Sequence, residues 1–214
     1  MAEAARRSGR VPGAVTLVAV TKRRPLEWIR SLLVCGAVDL GENYPQELWR
    51  KAEALAVLPV RWHLIGHLQG NKARRTLPLI RMIHAVDSLK LLRALDALAV
   101  GRDDPPAACL QVNVSGEATK HGWSPAALAA DAEAIAGCRH LPVVGLMTMA
   151  AWGTTAEQAR PAFARLRALR DALRGPTGLT LNELSMGMSQ DYTVAIEEGA
   201  TIIRVGSALF EGVA

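Results

Sequence analysis

Short apolar runs rich in β-branched residues alternate along this chain with longer stretches whose apolar positions recur every three to four residues. The first run, Val15-Thr16-Leu17-Val18-Ala19-Val20-Thr21-Lys22, has the near-continuous apolar character of a strand covered on both faces. Counting by two from its end puts Lys22, Val20, Val18 and Thr16 on one face, and Thr21, Ala19, Leu17 and Val15 on the other. Further strands are predicted at Ala37–Leu40, Arg61–Ile65, Met82–Val86, Ala108–Val114, Val143–Met147, Leu179–Leu184 and Thr201–Val205.

Helical signals fill the gaps. Pro25 opens a helix with Trp28, Ile29, Leu32 and Leu33 on one face, and Gly36 closes it. Others are expected from Pro45 to Val57, from Lys72 to Leu79, after Asp87-Ser88 to Gly101 and after Ser124-Pro125. The last three cover Thr154–Leu173, Gln190–Glu198 and a short final helix after Gly206-Ser207, while Ala2–Ser8 reads as a brief lead-in helix. Eight strand–helix units of roughly 25 residues are the arithmetic of a (β/α)8 TIM barrel with parallel strands and right-handed crossovers. The units consume residues 1–214 as a single domain, because no linker or shift in composition marks a second. A doubly wound open sheet is the alternative α/β fold.

Composition changes this picture little. Half of the 214 residues are hydrophobic, enough for one sizeable core. No apolar run is long enough to span a bilayer, and residues 1–10 lack the apolar core of a secretory signal. Cys35, Cys109 and Cys138 are scattered without CxxC spacing, which points to a reducing, cytoplasmic compartment and away from a disulfide framework or zinc site. The net charge of +5 is dispersed and not interleaved with aromatics, so nucleic acid is not the expected partner. An anionic small molecule suits a basic surface of this kind.

Polar residues that a core would not need recur at the ends of predicted strands: Lys22, Asn43, His63, Asp87, Asn113, Ser185, Ser189, Arg204 and Ser207. In a barrel these positions converge on one rim, where active sites are built. A desolvated lysine at such a rim loses its proton more readily and can attack a carbonyl. The runs Met186-Gly187-Met188-Ser189 and Gly206-Ser207-Ala208 each precede a helix, and together they read as a phosphate cradle or as ordinary capped turns. Alternation puts Ile202, Arg204 and Gly206 on the inner face, so Arg204 needs a buried partner, either a ligand or a structural ion pair. His63 and His84 sit among apolar neighbours, where a hydrogen-bonded core histidine is the commoner outcome. No HExxH, GxSxG, Walker A or GxGxxG motif is present, and no metal is expected.

The stretches LVAVTK (17–22), GENYPQE (41–47), WHLIGHLQGNK (62–72), HAVDS (84–88), QVNVSGEATKHG (111–122), GLMTM (145–149), SMGMSQDY (185–192) and IRVGSALFEG (203–212) form an ordered set. In that set the chain resembles the YggS/PROSC-type pyridoxal phosphate homeostasis proteins, themselves similar to the barrel domain of alanine racemase without its second domain. The resemblance implies a fold-type III barrel in which Lys22 holds pyridoxal 5′-phosphate (PLP) as a lysine aldimine. It further implies Asn43 beside the cofactor ring, Arg204 facing the pyridine nitrogen, and the phosphate among Ser185, Met186, Ser189, Gly206 and Ser207. His63, from its place on a strand, is counted with them as a cofactor-binding candidate.

An arginine opposite the ring nitrogen accepts no proton from it, which makes bound PLP a poor electron sink. Racemisation also needs an acid/base on each face of the substrate. In the similar racemases the opposing tyrosine comes from a second domain, and here the only tyrosines are Tyr44 and Tyr192. The expected function is therefore a monomeric, cytoplasmic PLP carrier that exchanges with amino acids or delivers PLP to apo-enzymes. A PLP-dependent racemase of narrow activity is the alternative. A PLP-free barrel enzyme acting on a phosphorylated metabolite is the third.

Overall fold

The computed structural model describes residues 1–117 and 120–212. Eight parallel strands close into a barrel in chain order: β1 (Thr16–Val20), β2 (Asp39–Glu42), β3 (Arg61–Leu64), β4 (Met82–Val86), β5 (Ala107–Gln111), β6 (Val143–Met147), β7 (Glu183–Ser185) and β8 (Ile202–Val205). Pairing of β1 with β8, with Val18 opposite Arg204, completes the closure and leaves no sheet edge. The helices are α1 (Ala2–Arg7), α2 (Leu26–Val34), α3 (Pro45–Ala54), α4 (Gly70–Thr76), α5 (Leu89–Ala99), α6 (Pro125–Ala130), α7 (Ala132–Ala136), α8 (Ala156–Thr177) and α9 (Tyr192–Glu197). Among the described residues no helix is long and apolar enough to cross a membrane.

Period-two alternation sorts the side chains into two cores. Ala19, Leu40, Leu64, Ile83, Leu110, Leu146, Leu184 and Ile203 join the large core between sheet and helices. Val18, Met82, Ala85, Cys109, Met147 and Ile202 form a smaller core inside the barrel. The faces expected for β1 and β8 are those observed. Full burial of a Val, Leu, Ile or Met side chain contributes about 1.5–3 kcal/mol, so this sorting opposes any one-residue slip of a strand.

Where boundaries differ from expectation, a tertiary contact accounts for it. β2 lies two residues later than Ala37–Leu40 because it pairs with β3 through Glu42, whose charge is buried against Lys51. β7 is shorter than Leu179–Leu184. Leu181 is in a left-handed conformation (φ 42°) and packs on the core from a loop, and the strand begins only at Glu183. The helix after Ser124-Pro125 breaks into α6 and α7 at Asp131, whose carboxylate accepts Trp123 Nε1–H at 2.8 Å. α8 begins at a reciprocal Thr155/Gln158 capping box and runs past Leu173 to Gly178, where φ of 66° ends it. Ala118 and Thr119 of the loop expected at 118–123 lie outside the described residues.

Candidate functional site

Lys22 sits just past the end of β1, in a turn closed by a hydrogen bond from Arg24 N–H to the Thr21 carbonyl (3.0 Å). Arg23 occupies the third position of that turn with φ 60°, a conformation that glycine or asparagine adopts more readily. The strain is held from both sides. Lys51, reaching up from α3, donates to the Thr21 carbonyl at 2.8 Å and to Glu42 Oε1 at 2.6 Å. The Thr21 hydroxyl donates to the same Glu42 oxygen at 2.7 Å. On the outer side the Arg24 guanidinium lies over the stacked rings of Trp28 and Phe210, 5.1 and 4.6 Å from their centroids.

Lys22 itself is exposed. The strand pattern led to a desolvated amine at this position. The turn carries the side chain beyond the apolar barrel interior instead. Among the described residues its side-chain nitrogen makes no hydrogen bond or ion pair, so it stands unpartnered on a fixed backbone.

Arg204 is buried inside the barrel, as alternation along β8 predicts. Its Nη1 donates to Ser185 Oγ at 2.7 Å and its Nη2 to the Thr148 carbonyl at 3.0 Å. These bonds use one N–H from each terminal nitrogen of a group that has five donors. Burial pushes its pKa down to about 10, against the pull of Asp191 and Cys109, so the group stays cationic at neutral pH.

The two glycine-bearing loops after β7 and β8 are stitched together by Ser189. Its hydroxyl accepts from Gly206 N–H at 3.2 Å and Ala208 N–H at 3.3 Å. Gly187 has φ 97°, and a Cβ there would press on Ala195 at 2.6 Å, so only glycine fits. Ser207 is exposed at the start of a 3-10 turn, Ser207–Leu209. The loop after β2 places Asn43, half-buried, against Gly66, where any side chain would collide with the Asn43 carbonyl.

Three expected site residues sit elsewhere. The Met186 side chain is in the outer core, because one step along β7 reverses the face, and only its backbone reaches the loop. The Ser185 hydroxyl lies below the rim, shared between Arg204 and His84. His63 points to the opposite, N-terminal mouth, where it bonds Asp39 and His84. The sequence reading also missed the Glu42–Lys51 pair, although a signal existed: Lys51 falls on the apolar stripe of α3 with Leu48, Ala52 and Leu55.

Residues 3–213 match the family described as the alanine racemase N-terminal domain. The pyridoxal phosphate homeostasis protein of Pseudomonas aeruginosa is 45% identical over 210 residues, which are 97% of this chain and 89% of that one. That of Aquifex aeolicus is 39% identical over 208 residues, 97% of this chain and 91% of that one. PipY of Synechococcus elongatus, solved with PLP bound, superposes with a TM-score of 0.87 at 40% identity, over 98% of this chain and 99% of that one. A Clostridium difficile alanine racemase shares the fold, with a TM-score of 0.72 at 12% identity over 92% of this chain and 52% of that one. With this extent of match in sequence and in structure, the chain belongs to the alanine racemase N-terminal domain family and, within it, to the proteins named for pyridoxal phosphate homeostasis.

Proposed function

We propose that this chain binds PLP at the C-terminal rim of its barrel and takes part in PLP homeostasis by holding and releasing the cofactor. The observation that carries the reading is the unpartnered Lys22 amine fixed on the same rim as the buried Arg204 and the Ser189-stitched loops. When bound, PLP supplies an aldehyde that an amine captures reversibly. Lys22 would be that amine. Arg204 would offer the ring nitrogen spare N–H donors and no base. Ser189, Gly206 and Ser207, with the backbone at Met186, would hold the phosphate, and Asn43 would lie beside the ring.

The residues fit the group in charge and in donor type. A cation that keeps its proton at neutral pH suits an unprotonated pyridine. Backbone N–H groups at Gly206 and Ala208, now capped by one hydroxyl, suit an anion.

Holding is favoured over turnover by the tyrosines. Tyr192 packs against the outer core, and Tyr44 is exposed at the start of α3, so neither is fixed as a second base opposite Lys22. Reversible capture suits exchange with amino acids and delivery to PLP-dependent apo-enzymes. The reading places the protein in the cytoplasm, where its three free cysteines stay reduced, and as a monomer.

Titrating purified protein with PLP should raise a visible absorbance band, and borohydride should convert it to a stable mass adduct. Lys22→Ala should lose both. A Lys22→Ala protein with the same band and adduct refutes the assignment. Rapid, saturable exchange of the α-hydrogen of a single-enantiomer amino acid in heavy water would replace the carrier by a racemase.

A further inference from the structure

A column of polar side chains runs along the barrel interior and joins its two ends. At the N-terminal mouth Asp39 accepts from Arg61 Nε at 2.8 Å and lies 3.0 Å from His63 Nε2. His63 Nδ1 is 2.8 Å from His84 Nε2. His84 Nδ1 is 2.7 Å from Ser185 Oγ, which accepts from Arg204 Nη1 at 2.7 Å. The members come from β2, β3, β4, β7 and β8, and all five are buried, so they satisfy one another.

Donor arithmetic gives the column a direction. Arginine only donates, a carboxylate only accepts, and a neutral imidazole does one of each. Burial raises the Asp39 pKa, but hydrogen bonds from His63 and Arg61 outweigh it and hold the carboxyl below its usual range. Burial, then the His63 and Arg204 charges, hold His84 well below the usual histidine range, so it stays neutral. In the state in which His63 carries a single proton, one assignment satisfies every contact. Arg204 donates to Ser185, Ser185 to His84 Nδ1, His84 Nε2–H to His63 Nδ1, and His63 Nε2–H to Asp39.

A proton added to His63 reverses two of these bonds. The imidazolium donates from Nδ1, so His84 Nε2 must be bare. His84 then carries its single proton on Nδ1 and donates to Ser185 Oγ. The net change is one proton: Ser185 keeps its hydroxyl hydrogen but loses His84 as its acceptor, and because its other partner, Arg204, only donates, the reversal costs one buried hydrogen bond beside the guanidinium. His63 has an approach to solvent, because a cavity of about 200 Å³ opens the N-terminal mouth beside it. Asp39, Arg61, Arg81, His84 and Glu183 are the charged and titratable groups around His63, and Asp191 and Cys109 are those near Arg204.

We propose that Asp39, His63, His84 and Ser185 are one positioning chain for Arg204, in which the charge state of His63 at one mouth sets the hydrogen bond made beside the guanidinium at the other. Its bearing on PLP rests on the reading above. The chain itself does not.

Nitrogen-resolved NMR of the histidine rings and the Arg204 guanidinium in ligand-free protein tests it. In the His63 state that carries a second proton, His84 should hold its own single proton on Nδ1 and no longer on Nε2, and the Arg204 signal should differ between the two His63 states. In Ser185→Ala the His84 exchange should persist while Arg204 stops following. A His84 that keeps one tautomer through the His63 titration, or a wild-type Arg204 signal that ignores it, overturns the proposal. The wild-type result needs no variant to fold. Because no PLP is present, its failure leaves the cofactor reading intact, and a failure to bind PLP leaves the chain intact.

Discussion

The two ends of the barrel treat polar side chains differently. At the N-terminal mouth they answer one another: Arg61 forks onto Asp39, His63 joins Asp39 to His84, and Thr201 bonds Glu183. At the C-terminal rim Lys22 and Ser207 are exposed, and among the described residues their side chains make no hydrogen bonds. The same β-strands supply both ends. The difference is that strand starts meet across a closed sheet, whereas the ends of β1 and β8 open into loops that hold the backbone still and leave Lys22 and Ser207 free, while Asp87 and Asn113 after β4 and β5 are paired with His67 and with the 113–117 turn. A mouth whose groups are satisfied contributes stability, and the side of the rim where Lys22 and Ser207 stand free is available to a ligand.

That contrast can be broken by substitution, from the largest effect on stability to the smallest. Lys51→Met should cost the most, about 3–5 kcal/mol, because it strands the buried Glu42 carboxylate, whose Oε2 already has no partner. Denaturant unfolding would measure it, and a loss below about 1 kcal/mol would contradict the reading of Lys51 as the buried partner Glu42 depends on. Asp39→Ala, at the satisfied mouth, should cost about 1–3 kcal/mol by leaving the buried His63 Nε2 without its partner, since the exposed Arg61 can turn to water.

The pH dependence comes from His84. Its folded pKa is depressed, so its contribution is complete above the unfolded value near 6.5 and is lost progressively as pH falls below it toward the folded value. Unfolding free energy should therefore drop by up to about 1.4 kcal/mol per pH unit below 6.5, before the carboxylates titrate. Flat stability from pH 7 to 5 would contradict a neutral, buried His84. Arg24→Ala should cost about 0.5–1 kcal/mol through loss of the stacked cation, with a larger effect on PLP affinity if the Lys22 turn loosens. Lys22→Ala, at the free rim, should change stability by less than about 0.5 kcal/mol while losing the PLP band. A large loss of stability there would mean the rim lysine is a structural member after all.

Much of the architecture was legible because its signals are local. Alternation placed Val18 and Ile202 inside, with Ala19 and Ile203 outside, and Ser88 and Ser124 announced two helix starts. The boundaries that moved were those set by long-range contacts, such as Glu42 made strand-compatible by Lys51, and Leu181 packed from a loop. At the site, Lys22 and Arg204 were legible as a strand end and an inward charge. The exposure of Lys22 was not, because it depends on a turn with Arg23 at positive φ. His63 was expected near the cofactor and lies at the opposite mouth, because the rule that strand ends carry chemistry does not say how far along a four-residue strand the rim begins.

The amino-acid order by itself determined the eight strands, their inner and outer faces and the lysine at the end of the first, because a side-chain period of two is a property of neighbouring residues. Only the tertiary structure decided that His84 would meet Ser185 across 101 positions, and that Asp39 and Arg204 would stand at opposite ends of one hydrogen-bonded column. Those contacts exist only once the sheet closes on itself. Hydrogen-bond direction then passes from one buried group to the next, since His84 and Ser185 in the middle of the column are wholly buried and have no water to turn to.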